Sequence, residues 1–117
     1  MNALLYGILV AALLFIIDIP WLLLNSGTFD KVVTNIQGSP LRFRYEAILV
    51  VYPALAYLLT RARSQVEAGL IGLTTYAVYD FTTYSALKDY PIGVATMDAL
   101  WGGTLFSITY WVLQKLT

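Results

Sequence analysis

Residues 3 to 25 read ALLYGILVAALLFIIDIPWLLLN, an apolar run interrupted only by Asp18 and Pro20. A helix rises about 1.5 Å per residue, so about 20 apolar residues match the ~30 Å hydrocarbon core of a bilayer. A soluble bundle needs a polar face on each helix, and this segment offers almost none outside its Asp. The run predicts a first transmembrane helix. A cleaved leader is the rival, but MNALLYG carries no Lys or Arg, and the stretch exceeds the roughly 7–15 apolar residues of a leader. The segment is therefore expected to be retained.

Composition agrees along the whole 117-residue chain, a length suited to one small domain. Hydrophobic residues make up 59% and charged residues 12%, against roughly 45–50% and 25% in soluble domains. Mean hydropathy is +0.71. Further spans are expected at about 44–62, 66–87 and 92–114. The second is short and works if Arg44 and Arg61 snorkel to the two interfaces. The third carries Thr74, Thr75, Tyr76, Tyr79, Asp80, Thr82, Thr83 and Tyr84, so it should face protein more than lipid. The fourth holds Asp98, Gly102 and Gly103, with Trp111 as an interface anchor and Lys115 closing it. Between spans one and two, residues 26–42 contain the turn formers Ser26, Gly27, Gly38, Ser39 and Pro40. Phe29, Val32, Val33 and Ile36 fall there at helical spacing, so this stretch reads as a wetted loop or as a short interfacial helix at 28–37.

The connections at 61–65 and 88–91 are only a few residues long, which forces antiparallel neighbours. The expected fold is an all-α, integral membrane, antiparallel four-helix bundle running up-down-up-down. A transmembrane barrel would need alternating segments of about 10 residues, which are absent. Seven Lys+Arg balance seven Asp+Glu, which removes the basic surplus that a nucleic-acid partner requires. With neither Cys nor His, disulfides, thiolate or imidazole metal sites and imidazole acid–base chemistry are all excluded. No motif specifies a cofactor, a metal site or a catalytic residue.

Three aspartates inside spans need a reason, because each costs about 2.5–3.5 kcal/mol at a helix centre. Asp18 lies seven residues before Asn25, Asp80 seven before Leu87, and Asp98 seven after Pro91. That is about 10 Å from the expected end of each span. Alternating topology assigns those three ends to one membrane face, so the three carboxyls are expected to share a leaflet and a polar cavity. Three like charges cannot share a dry pocket fully ionised. A proton, a metal, water, or the candidate rim cations Arg42, Arg44 and Lys88 would have to compensate.

Tyr76, Asp80, Thr83 and Leu87 fall on one helical stripe with Tyr79 alongside, and Asp98, Trp101, Gly102 and Leu105 form a matching face. Trp21 and Trp101 each follow an Asp by three residues, so either indole N–H is placed to meet a carboxylate of a neighbouring helix, or the two rings belong to an interfacial aromatic belt. The candidate polar site is thus Asp18, Asp80, Asp98, Tyr76, Tyr79, Thr83, Trp21 and Trp101. Ala99, Gly103 and Ser107 make a ladder of small residues four apart, a helix-packing seam within the bundle or between two copies.

These residues also carry a resemblance. The stretch Tyr76-Ala-Val-Tyr79-Asp80-Phe-Thr82-Thr83, running on to Leu87-Lys88 and Tyr90-Pro91, resembles a segment of a family of small four-span membrane proteins known as domain of unknown function 2177. Asp18-Ile-Pro-Trp21 and Asp98-Ala-Leu-Trp101-Gly102 are similar to that family's two Asp-x-x-Trp motifs. Thr83 stands where the family pattern has Asn, and Tyr90 where it has Trp. The resemblance implies the fold and the site location and assigns no activity.

Three functional classes follow from the residues. A structural or accessory membrane component would use the aspartates as hydrogen-bonded struts between helices. A channel or carrier would bind a proton, a cation or a small polar molecule at Asp18, Asp80 and Asp98. A lipid-acting enzyme would use an Asp as acid or base and Lys88 or Arg42 to hold a head group, although no nucleophile or nucleotide motif supports it. The favoured reading is the accessory component, with membrane lipids as partners and a homo-oligomer or larger membrane complex as the candidate assembly.

Overall fold

A computed structural model describes residues 2–117, and four α-helices with one 3-10 turn account for the regular structure among them. Helix α1 spans Ala3–Gln37, the 3-10 turn Tyr45–Ala47 leads into α2 at Ile48–Thr60, and α3 and α4 span Gln65–Ala86 and Ile92–Leu116. Among the described residues there is no strand.

The helix ends follow local chemistry. Asn2 caps α1, its Oδ1 accepting from Leu5 N at 2.8 Å. Ser64 caps α3 through Glu67 N at 3.1 Å, and the Glu67 carboxylate reaches back to Arg63 N, a variant of the reciprocal box that satisfies first-turn donors. Pro91 opens α4 at φ −69°, where its missing N–H costs nothing.

The expected break after residue 25 is absent, and no separate helix occupies 28–37. Helix α1 instead continues through Ser26 and Gly27 to Gln37. Asn25 and Ser26 bond backward to carbonyls of the same helix, at Trp21 O and Leu23 O, so their side chains support the helix instead of ending it. Termination waits for Gly38, whose φ of +76° is the left-handed conformation and whose N–H donates to Thr34 O. Leu41 N then bonds Asp30 Oδ1 at 2.8 Å, so the chain turns back along α1. This return matters because α2 begins beside the middle of α1, where Phe15 and Asp18 meet Tyr52.

Length and apolarity qualify one described helix, α1, to cross a membrane. At 13 residues α2 reaches only about 20 Å.

Helices α3 and α4 form the tightest pair, and their contacts run in opposite directions: Gly69 faces Gly103 and Ser107, and Gly72 faces Gly102 and Phe106. Gly72 and Gly102 set the spacing. A Cβ on Gly72 would stand 2.7 Å from Phe106 Cβ, and one on Gly102 2.6 Å from Tyr76 Cβ, closer than packed carbon atoms sit. Of the expected ladder, Gly103 and Ser107 face α3 and Ala99 is buried, so the seam is used within this chain. The apolar core, with Val10, Leu14, Leu55, Ala56, Leu59, Ala68, Leu105, Phe106 and Leu113, fills the half of the bundle nearest the α2–α3 connection. The other half buries Asp18 and Asp80 beside Val94, Ala95 and Ala99.

Candidate functional site

Asp18 is 5% exposed although it sits mid-helix in an apolar run. Two donors from two other helices justify it: Tyr52 Oη on α2 donates to Oδ2 at 2.5 Å, and Trp101 Nε1 on α4 donates to Oδ1 at 2.7 Å. One carboxylate thereby fixes the register of three helices. Tyr52 also packs edge-on against Phe15, and Trp101 stacks on Trp21 with centroids 4.9 Å apart, so both donors are held from their sides as well.

Asp80 presents the opposite situation. It is fully buried, and neither carboxyl oxygen meets a hydroxyl, indole or amide donor. The titratable group that acts on it is the Asp98 carboxyl of α4. Two carboxylate oxygens cannot bond one another unless a proton lies between them. Asp98 also acts electrostatically on Asp18, and Tyr76 lies within range of all three carboxyls and of Tyr52. At the α3–α4 connection, burial pushes the Tyr90 phenol from its usual 10.0 up to about 12, with Asp80, Asp98 and Tyr79 adding to the effect.

The structure therefore brings Asp18, Asp80, Asp98, Tyr76, Trp101 and Trp21 to one region, with Trp21 there through its stacking and its Nε1 buried without a partner. It does not bring in Tyr79, which is 69% exposed, or Thr83, whose hydroxyl donates to Tyr79 O in its own helix. Leu87 is exposed and ends the stripe. The rim cations Arg42, Arg44 and Lys88 are exposed, and no cation is among the groups acting on Asp18 or Asp80. Among the described residues no group of three or more carboxylates is placed to hold a metal ion.

Tyr52 is the site residue that the sequence reading missed. Its signal was faint, one of two phenols in a largely apolar helix and next to Pro53, with nothing local to connect it to a carboxylate 34 positions earlier. The depth count for Asp18 used a helix end at Asn25 that does not exist. Asp18 reaches the site because Trp101 and Tyr52 meet it, not because of its distance from an end.

A family model described as a predicted membrane protein, DUF2177, matches residues 3–113. The chain belongs to that family. No curated protein and no solved structure matches it. The matched DUF2177 region contains the three aspartates, their partners and all four helices except the final residues of α4.

Proposed function

We propose that this DUF2177 protein is a multi-pass integral membrane protein, its helices running up-down-up-down, that takes up a proton at the Asp80–Asp98 carboxyl pair, while Asp18 acts as a strut. What supports the membrane placement is the outer surface. Leu4, Ile8, Ile16 and Leu23 on α1, Leu49 and Val50 on α2, Val66 and Val78 on α3, and Leu100 on α4 are all exposed. Monomeric soluble proteins rarely present apolar surface of that extent. Charged side chains other than the three aspartates lie in the connections, near helix ends or, for Asp30 and Lys31, in the part of α1 beyond its apolar run.

The single observation that carries the function is the unpartnered, wholly buried carboxyl of Asp80 facing a second carboxyl. Ionised carboxyls are costly in a low dielectric and repel each other at contact. One proton held between them removes the repulsion and supplies the missing hydrogen bond, so the two carboxyls bind and release that proton as a pair. The full-length protein in liposomes loaded with a pH-sensitive dye should pass protons down an imposed gradient, with Asp80→Asn and Asp98→Asn falling to the rate of empty liposomes. Equal rates in all three would reject proton transfer.

A second reading, the accessory membrane component, is favoured by Asp18, whose two satisfied bonds need no ligand. It predicts that all three aspartates contribute to folded yield and that none controls flux.

A further inference from the structure

Between α1 and α2 lies an apolar groove of about 740 Å³, lined by residues from Ala3 to Phe15 and from Ile48 to Thr60. Its floor is made of small residues, Gly7, Ala11, Ala12 and Ala56, and it reaches inward as far as Phe15 and Tyr52, which meet edge to face at 5.1 Å. Nothing stands within 4 Å of where a Cβ on Gly7 would project, so the space is open. From Ala3 to Phe15 the groove runs about 18 Å along α1. That is close to one leaflet, half of a ~30 Å hydrocarbon core. A partner helix crossing the membrane would need a track of twice that length. A single acyl chain fits the extent.

The outer end of the groove is positively charged. Thr60 lines it, Arg61 and Arg63 follow directly, and the Arg61 guanidinium lies 5.4 Å from the ring centroid of Tyr57, itself a lining residue. The carboxylate nearest in sequence, Glu67, accepts from Arg63 N. Both Arg side chains are exposed at the level where a span would meet head groups. Planar guanidinium groups bind phosphate oxygens in pairs. We infer that the groove holds one acyl chain of an anionic phospholipid, with its phosphate on Arg61 and Arg63. The inference rests on the membrane placement and is independent of the Asp80–Asp98 pair, which lies in the other half of the bundle.

The test uses full-length protein equilibrated with vesicles of equal phosphatidylglycerol and phosphatidylcholine, purified in mild detergent, and assayed for retained lipid by mass spectrometry. The parent should retain phosphatidylglycerol in preference to phosphatidylcholine. The preference should fall about tenfold in Arg61→Gln/Arg63→Gln, in line with attraction of each surface cation to anionic lipid. Gly7→Phe should reduce retention of both lipids by filling the groove, and Lys31→Gln, a cation at the far end, should change nothing. Melting temperatures of the variants confirm that each is folded. Retention in the vesicle ratio by the parent, or an unchanged preference in the double Arg variant, would overturn the inference. So would a dimer that Gly7→Phe dissolves, because the occupant would then be a second copy.

Discussion

At position 18 an asparagine is not a neutral replacement. Tyr52 and Trp101 each donate to a separate oxygen of Asp18, whereas an amide has one acceptor oxygen and would turn its NH2 toward a donor. Asp18→Asn should lower stability by about 1–3 kcal/mol, and Tyr52→Phe should do the same by removing one donor. At Asp80 the sign reverses. No donor is lost there, and the amide of Asp80→Asn can donate to Asp98, so stability should hold or rise by about 1 kcal/mol. Thermal melting of the three variants in detergent checks the contrast, and equal losses at 18 and 80 would favour the strut role for both. Tyr90 gives a pH signature. Its phenol keeps its proton in the folded protein up to about 12 against the usual 10.0, so the stabilisation it gives is complete below pH 10 and is lost as pH rises through 12. A phenolate difference titration of parent against Tyr90→Phe should show the missing group near pH 12 when folded and near 10 when denatured. The aspartates and Trp101 were legible because a polar group in an apolar run demands a partner. Tyr52 was not, because the bond that explains it is purely tertiary.

Among the elements, α3 and α4 depend on close approach, since lipid gives no hydrophobic drive for helices to associate. Gly72→Ala or Gly102→Ala should push the pair apart and cost about 1–3 kcal/mol by overpacking, because Phe106 and Tyr76 stand where the methyl would go. Unchanged melting in both would disprove that contact. The seam through Ala99, Gly103 and Ser107 was readable from its four-residue spacing, but its partners Gly69 and Gly72 on α3 were not singled out. The long α1 was misjudged for a physical reason. Ser26 and Gly27 resemble a turn in sequence, yet neither forces one, and Ser26 can bond its own helix. Only Gly38 adopts a conformation that a helix cannot continue through.

Along its length the molecule carries an apolar cluster in one half and the three aspartates in the other, and the proposed bilayer placement assigns its two ends to opposite aqueous faces. The chain has no Cys, so single cysteines report sidedness without background. Ser39→Cys and Asp89→Cys should react with an impermeant thiol reagent from one side of a sealed vesicle and Arg63→Cys from the other. Labelling of all three from the same side would exclude the up-down-up-down crossing. The all-helical class was legible from the length and apolarity of the runs and the shortness of two connections. The offset of α2 was hidden, because it follows from how far α1 extends and how the return segment is pinned to Asp30.

The proton between Asp80 and Asp98 is tested most directly by infrared spectroscopy of the full-length protein in lipid bilayers at neutral pH. A protonated-carboxyl band should be present in the parent and disappear in both Asp80→Asn and Asp98→Asn. A parent spectrum holding only ionised carboxylates, or a band that neither substitution alters, would contradict a shared proton.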